Sequence, residues 1–226
     1  MFGFNKKNLG TTVDERRINK IVDYTCISPL MTQKELEKKL CVAYKNKYYS
    51  VCVNPINVKF ASNYATVRLK GQVVIGTVIG FPLGETTIDT KVYEIKKAIS
   101  DGAEEVDVML AVSKIKSGDF NYVKTELSRV MKAAKKKVVK VIVETTSLTK
   151  VELSRVSALC AKCHIDYVQT SSGYASGGAT IEDIETIIEA SKGKVKVKAS
   201  GGIETATQAV IMTRAGAVRI GTSREI

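Results

Sequence analysis

The chain has 226 residues, of which 44% are hydrophobic and 26% charged, a composition typical of a globular protein that buries one sizeable core. No apolar run approaches the roughly 20 residues that a bilayer span requires, and no signal peptide is evident, which predicts a cytoplasmic protein without a membrane partner. Lys and Arg number 35 against 23 Asp and Glu, and the formal charge of +12 fits nucleic acid, an acidic membrane surface, a small phosphorylated ligand or a lysine-rich solvated surface.

Short runs of β-branched residues alternate with helical stretches and predict eight strands, at residues 21–25, 48–53, 72–78, 104–110, 138–144, 165–171, 194–200 and 217–221. This alternation within this length predicts a closed (β/α)8 TIM barrel rather than an open sheet. No long linker divides the chain, so residues 1–226 are expected to form one domain. Asp14 could cap a short helix in an extension before residue 20. The chain stops at Ile226, a few residues after the last strand, so the final barrel helix is expected to be missing or truncated.

Two central helices are defined by their apolar spacing and their ends. Val92, Ile95 and Ile99 recur at helical intervals, and Gly102 follows as a stop signal. Asp119 is placed to cap the next helix. The lysines fall mostly on such helix faces, without interleaved aromatic residues, and are predicted to be solvated: Lys34, Lys38, Lys39, Lys91, Lys96, Lys97, Lys132 and Lys135 to Lys137. We therefore predict no nucleic-acid partner, and a nucleic-acid-binding barrel is the alternative that the charge leaves open.

The five cysteines are scattered and odd in number, which predicts reduced thiols rather than a disulfide framework. The segment CAKCH at residues 160–164 matches the attachment pattern of c-type haem. We interpret it instead as the end of a helix that runs into a strand. No metal site and no cofactor are predicted.

Strand periodicity brings polar side chains into the predicted barrel. In residues 138–144, three valines share one face while Lys140, Ile142 and Glu144 share the other; in residues 194–200, Val195, Val197 and Ala199 oppose three lysines. The apolar faces must lie under the helices. The carboxyl ends of the strands would then gather four polar side chains: Asp107, Lys140, Gln169 and Lys198. Lys194 and Lys196 share the face of Lys198 and are expected inside as well. Buried charges are costly unless paired, so the cluster indicates either a functional site or a salt-bridge network that fills the barrel.

Three glycine-containing turns follow the last three strands: SSGY at 171–174, SGGIET at 200–205 and GTSRE at 221–225. Small residues and free amides at such strand ends are typical of a phosphate site in a barrel. The alternative is three ordinary tight turns.

The stretches VDYT, VCVNP, GFPLGETT, DGAEEVDVML, KVIVETTSLT, YVQTSSGYASGGAT, KVKASGGI and RIGTS span the chain from about residue 20. Together they resemble the deoxyribose-phosphate aldolase family, class I aldolases that interconvert 2-deoxy-D-ribose 5-phosphate with acetaldehyde and D-glyceraldehyde 3-phosphate. The resemblance implies that Asp107 relays protons and that Lys198 is the second active-site lysine. It places Thr25 and Cys52 near the substrate. It implies a phosphate cradle of Gly173, Gly201, Gly202, Gly221, Thr222 and Ser223. The expected ligand is a small phosphorylated sugar; the oligomeric state stays open, with a homodimer as one option.

Three positions depart from the family pattern. Gln169 stands in VQTS where the family has VKTS with its Schiff-base lysine, and an amide nitrogen is not nucleophilic. Tyr24 replaces a histidine, and Glu204 replaces an arginine near the phosphate, a loss that Arg224 could compensate. Retro-aldol cleavage would then be reduced or lost, or Lys198 would act as the nucleophile. The alternative is a noncatalytic sugar-phosphate-binding or regulatory protein.

Overall fold

The computed structural model describes residues 18–226, which form one closed barrel. Its strands are parallel and pair in chain order, with β8 returning to β1. They are β1 Val22–Cys26, β2 Ser50–Val53, β3 Val74–Ile79, β4 Glu105–Met109, β5 Val138–Ile142, β6 Tyr167–Gln169, β7 Lys196–Ser200 and β8 Arg219–Thr222. The predicted TIM barrel is confirmed, and each predicted run overlaps one of these strands.

Helices occupy the intervals between successive strands. They are α1 Gln33–Asn46, α2 Val58–Arg68, α3 Ile88–Ser100, α4 Val112–Lys116, α5 Phe120–Ala134, α6 Lys150–Lys162, α7 Ile181–Ser191 and α8 Ala206–Arg214. Both α4 and α5 lie between β4 and β5. Residues 223–226 contain no helix. The predicted N-terminal helix with its cap at Asp14 lies outside the described residues, which lead into β1 through a 3-10 turn, Asn19–Ile21.

Side-chain caps fix where several helices begin. The Asp119 carboxylate accepts a hydrogen bond from the amide of Tyr122 and caps α5, as predicted. Thr149 caps α6 in a capping box, in which the side chain of Glu152 accepts a hydrogen bond from the Thr149 amide. These caps satisfy amides that the first helical turn leaves unpaired.

The apolar core lies between the strands and the helices. Val139 and Val141 of β5 and Val197 of β7 are buried in this layer. Lys140 of β5 and Lys198 of β7 lie at alternate positions of these strands and point into the barrel. The strands are therefore buried on both faces, with an apolar outer face and a charged lumen.

Lys91 is not solvated as predicted. Its side chain is fully buried on α3, where its ammonium pairs with Glu126 of α5 and donates to the carbonyl of Met109 at 2.8 Å. Gly80 makes room for it, since a Cβ at that position would lie 2.8 Å from the Lys91 Cε. Lys91 lies one helical turn before the buried Ile95, so it shares the face of α3 that packs on the barrel.

The prediction that Lys194 and Lys196 enter the barrel is wrong. Lys194 precedes β7 and is exposed, and Lys196 is the exposed first residue of that strand. The Lys196 ammonium lies 5.4 Å from the centre of the Tyr167 ring. The strand begins two residues later than predicted, so only Lys198 of the three reaches the lumen.

All five cysteines lie within the described residues and are free thiols. Cys26, Cys52 and Cys160 are buried, whereas Cys41 and Cys163 are half-buried. In CAKCH, Cys160 belongs to the last turns of α6 and Cys163 follows its end, so the segment is the helix end that we predicted. No group of three potential metal ligands occurs in residues 18–226. Within the same residues, no helix combines the length and apolarity that crossing a bilayer requires.

Candidate active site

Within residues 18–226, six charged side chains meet in the lumen, and almost no part of them is exposed. Three are carboxylates and three are cations, so their formal charges cancel: Asp23, Glu105 and Asp107; Lys140, Lys198 and Arg219. Such a balance is expected, because an unpaired ion inside a protein is strongly disfavoured.

The two lumen lysines each contact more than one carboxylate. The Lys198 Nζ lies 2.6 Å from Oδ2 of Asp107 and 3.0 Å from Oδ2 of Asp23. The Lys140 Nζ lies 2.7 Å from Oδ1 of Asp107 and 2.5 Å from Oε2 of Glu105. Asp107 therefore bridges the two ammonium groups that the sequence predicted to be its neighbours.

Arg219 of β8 completes the cluster. Its guanidinium contacts Asp23, lies 2.7 Å from Oε2 of Glu105, and stacks on the ring of Tyr49 at 3.6 Å. Ser50 donates a further hydrogen bond to Asp23. Arg219 is in register with Lys198 on the neighbouring strand, so these two cations are kept apart by the carboxylates between them.

The cluster holds its members in their charged forms. Burial by itself would lower the pKa of Lys198, but the attraction of Asp107 and Asp23 outweighs it and the pKa is raised. The pKa of Lys140 is raised for the same reason, with Glu105 contributing. Burial opposes ionisation of Asp23 and Asp107, yet the neighbouring lysines hold the pKa of each carboxyl below its ordinary value. Both lumen lysines are therefore ammonium ions at neutral pH.

Gln169 ends β6 in register with Lys198 and is buried. Its Nε2 donates to the carbonyl of Ser171 at 3.0 Å, and its Oε1 is buried without a hydrogen-bond partner in the described residues. Gln169 is thus the one predicted cluster residue, among those described, that forms no ion-cluster contact. Its free oxygen can accept a hydrogen bond from a ligand hydroxyl or a water.

Cys52 and Thr25 lie close to the cluster, on β2 and β1. The Cys52 thiol is 3.9 Å from Oδ2 of Asp107, and burial followed by the charge of Asp107 raises its pKa. Thr25 is in register with Cys52 and lines the cavity above it. The thiol is therefore protonated and is not itself a nucleophile.

A cavity of about 390 Å³ opens at the carboxyl ends of the strands. The three glycine-containing turns line it, and it contains every residue predicted for the phosphate: Gly173, Gly201, Gly202, Gly221, Thr222 and Ser223. Gly201 and Gly202 have φ values of +90° and +73°, which other residues rarely adopt. The amides of Gly173, Gly202 and Ser223 donate to no protein acceptor within residues 18–226, so they are available to an anion.

Gly221 matters for a second reason. A Cβ at this position would lie 2.6 Å from the Ser200 Oγ and 3.0 Å from the Lys198 Cε. The glycine therefore leaves the space in which Lys198 crosses from β7 into the lumen. Gly221 thus lines the cavity and also makes room for the lysine.

A family model described as DeoC/LacD family aldolase matches residues 19–224. The deoxyribose-phosphate aldolase of Clostridium botulinum (strain Loch Maree / Type A3) is 44% identical over 207 residues, covering 92% of this chain and 96% of that protein. The deoxyribose-phosphate aldolase of Thermococcus gammatolerans is 42% identical over 208 residues, covering 91% of this chain and 92% of the relative. The chain belongs to the DeoC/LacD family of aldolases.

Solved structures of aldolases share the fold. The aldolase QR15 superposes with a TM-score of 0.86 at 38% identity, covering 91% of both chains. The deoxyribose phosphate aldolase of Aeropyrum pernix superposes with a TM-score of 0.85 at 29% identity, covering 93% of this chain and 88% of that one. The Aeropyrum protein is a tetramer. A homodimer of the present chain stays a prediction.

Of the three positions at which the resemblance implies a departure from the family pattern, one lies at the cavity. Glu204 lines it, and the guanidinium of Arg224 is 3.9 Å from the Glu204 carboxylate. Arg224 therefore offsets part of that negative charge. Tyr24 lies on the outer face of β1, where its hydroxyl contacts Lys39 of α1.

Four charged residues of this aldolase barrel had no predicted role. Asp23, Glu105 and Arg219 complete the lumen cluster. Two buried lysines require more than one carboxylate, and this requirement could have indicated the two additional acids from the sequence. Alternation along β8 would have placed Arg219 inside with Gly221. Glu144 follows β5 at a φ of +55° and accepts a hydrogen bond from the Ser172 amide at 3.2 Å. It anchors the first glycine-containing turn, and no spacing in the sequence indicated this contact.

Proposed function

We propose that this chain binds a phosphorylated sugar of the 2-deoxyribose 5-phosphate class and has lost the Schiff-base step of its family. The relatives named deoxyribose-phosphate aldolase, at 42–44% identity, support the ligand class. The cavity and its glycine-containing turns supply the amides that a phosphate requires.

One observation carries the proposal: both lumen lysines are held by carboxylates, and Gln169, which the family resemblance puts at the position of the Schiff-base lysine, has no amine. An imine forms only when an unprotonated amine attacks the carbonyl carbon. Lys198 would have to leave Asp107 and Asp23 and lose a proton before it could attack. Lys140 would have to leave Asp107 and Glu105. Neither amine is free to begin the reaction.

Gln169 also supports binding without turnover. Its unpartnered Oε1 is a buried acceptor, and a buried acceptor gains stability from a donor. A sugar hydroxyl is such a donor, whereas an aldehyde oxygen is not. On this proposal, an amide that accepts a hydrogen bond from an alcohol stands where the family has an amine that attacks a carbonyl.

The second candidate is an aldolase in which Lys198 has become the nucleophile. It is favoured by the position of Lys198, which is in register with Gln169 on the adjacent strand. Asp107 would then relay protons from 2.6 Å away. The candidate requires ligand binding to break the Lys198 ion pairs.

The decisive comparison is retro-aldol cleavage of 2-deoxyribose 5-phosphate by the chain and its Gln169→Lys variant. We expect the chain to show background rates and the variant to gain at least about 100-fold, which is about 2.7 kcal/mol of barrier. The added amine would lie beside the Lys198 ammonium, which would lower its pKa and free it to attack. Gln169→Met removes the amide without adding an amine, and Gln72→Lys adds an amine at an exposed position. Both controls should stay at background.

Borohydride reduction in the presence of acetaldehyde, followed by peptide mass mapping, separates the two candidates. We expect no labelled lysine in the chain as it stands, and a label at position 169 in Gln169→Lys. A label at Lys198 in the unmodified chain would contradict the proposal and establish the second candidate. Isothermal titration with 2-deoxyribose 5-phosphate tests the binding itself, and failure to bind would contradict both.

A further inference from the structure

Lys39 of α1 is held at the edge of the cavity by two neighbours. Its ammonium donates to the Tyr24 hydroxyl, lies 5.0 Å from the centre of the Tyr24 ring, and is 3.7 Å from the Glu225 carboxylate. Tyr24 is itself buried and packs against Tyr48, with ring centres 5.3 Å apart. The long lysine side chain is therefore directed by a rigid aromatic residue rather than left free in solvent.

The position of Tyr24 brings Lys39 to the last phosphate turn. Tyr24 is in register with Thr222 at the end of β8, and Glu225 lies three residues further along. The Tyr24 hydroxyl lies 3.4 Å from the Glu225 carboxylate, so Tyr24 joins α1 to the segment after β8. Lys39, Thr222 and Ser223 all line the same cavity.

The cavity has little other charge. Among its described lining residues, Lys39 is the only cation and Glu204 the only anion, and Glu204 faces Arg224 at 3.9 Å. The free amides of the glycine-containing turns carry partial positive charge but no full charge. A phosphate in these turns would be a dianion near neutral pH and would need a cation close by. The hydrogen bond with Tyr24 raises the pKa of Lys39, so that cation persists across the neutral range.

We propose that Lys39 binds the phosphate group of the ligand and that Tyr24 positions it. The inference rests on the proposed function and identifies the cation of the same site. It also accounts for two departures from the family pattern. Tyr24 stands in place of a histidine and directs Lys39 of α1 toward the cavity. Lys39 then supplies the positive charge that the family's arginine would provide at the position of Glu204. Glu225 forms a weak exposed pair with Lys39, which an incoming phosphate can displace.

The test is isothermal titration of the full chain and its variants with three probes: 2-deoxyribose 5-phosphate, inorganic phosphate and 2-deoxyribose. Lys39→Met should weaken binding of both phosphate-containing probes by at least about 10-fold. Lys38→Met removes an exposed lysine from the same helix and should change binding by less than about 2-fold. Tyr24→Phe keeps the ring and should weaken binding by about 3-fold. Unchanged circular dichroism and thermal midpoints would show that each variant folds.

The outcomes separate this inference from the proposed function. If the chain binds 2-deoxyribose 5-phosphate and Lys39→Met binds it equally well, the assignment of Lys39 is wrong and the proposed function stands. If the chain binds inorganic phosphate through Lys39 but not the sugar phosphate, the phosphate site stands and the proposed ligand class is wrong. Equal loss in Lys39→Met and Lys38→Met would show a general charge effect and overturn the assignment. Unaltered binding by Tyr24→Phe would overturn the positioning by Tyr24.

Discussion

Asp23 lies within ion-pair distance of all three cations of the lumen. It contacts Arg219, lies 3.0 Å from the Lys198 Nζ and 3.5 Å from the Lys140 Nζ. Ser50 adds a hydrogen bond to the same carboxylate. A single buried carboxylate thus helps to neutralise cations on three strands, β5, β7 and β8. Lys140, Lys198 and Arg219 depend on it to remain charged inside the barrel.

We expect Asp23→Asn to destabilise the fold by about 3 to 5 kcal/mol, because it leaves an excess of buried positive charge. Urea denaturation of the variant and the unmodified chain measures the change. Glu104→Gln is the control, since the Glu104 pair with Lys137 is largely exposed and should contribute no more than about 1 kcal/mol. Equal effects of the two substitutions would contradict the charge balance that we assign to the lumen.

Residue-level prediction succeeded where strand alternation was unambiguous. Asp107, Lys140 and Lys198 lie inside because the opposite faces of their strands are rich in valine. Alternation failed for Lys196, since it does not reveal at which residue a strand enters the barrel. The role predicted for Gln169 rests only on the family resemblance, because a buried glutamine has no distinctive spacing.

At the scale of elements, the Lys91–Glu126 pair joins α3 to α5 and both to the end of β4. The Glu126 carboxylate also accepts from the Ala111 amide at 3.3 Å, and Lys91 donates to the carbonyl of Met109. These contacts flank Leu110, the residue that follows β4, three positions after Asp107. The pair therefore stabilises the carboxyl end of the strand that carries Asp107.

Lys91→Met should cost about 3 to 5 kcal/mol, because the Glu126 carboxylate would be left buried without a cation. The double variant Lys91→Met/Glu126→Gln removes both charges and retains an acceptor for Ala111, so we expect it to recover more than half of the loss. Lys97→Met breaks a pair with Asp101 whose lysine is mostly exposed and should cost less than about 1 kcal/mol. Chemical denaturation of the four proteins tests these values, and a double variant as unstable as Lys91→Met would show that packing, not charge, dominates.

Element-level prediction depended on caps and periodicity. The helix capped by Asp119 was predicted from a residue type with a known preference, and the structure confirms it. The burial of Lys91 was missed because periodicity treats lysine as a surface residue. Its burial depends on Gly80 and Glu126, which are distant in sequence, and a local pattern contains no information about them.

The barrel buries the six charged side chains of the lumen almost completely, so its free energy of unfolding should depend on whether they are ionised. The pKa of Asp23 and Asp107 is lowered in the folded state, from an unfolded value of about 3.9. Their contribution is present above that value and is lost as pH falls through the folded pKa. The raised pKa of Lys198 contributes stability below its unfolded value of about 10.4, and this is lost only as pH rises through the folded pKa.

We therefore expect the free energy of unfolding to be level between about pH 5 and 8 and to fall below about pH 4. Urea denaturation across this range measures it. Burial raises the pKa of Glu126, so its contribution to the free energy of unfolding grows as the pH falls, opposite to that of Asp23 and Asp107. Both the unmodified chain and Asp23→Asn contain Glu126, so the difference between them reports on the lumen acids. The variant should show a shallower acid decline. A decline that begins near pH 6 in the unmodified chain would mean that the lumen acids are not ionised as described.

The architecture was the most predictable feature of the molecule. Eight strand signals separated by helical stretches leave few topologies, and parallel order with short connections selects the barrel. The lumen network was less predictable, because it depends on how the side chains of β1, β4, β5, β7 and β8 meet in three dimensions. The expected phosphate turns required only local signals, and all three line the cavity.

The five cysteine thiols differ in burial, so their reactivity reports on unfolding of the barrel. Burial raises the pKa of Cys26 to about 12 and also raises the pKa of Cys52 and Cys160, whereas Cys41 and Cys163 are partly open to solvent. A chromogenic disulfide reagent should therefore titrate two thiols in the native chain and five after denaturation. The three buried thiols should react only after the barrel opens, so their rate of reaction measures the rate of opening without an introduced label.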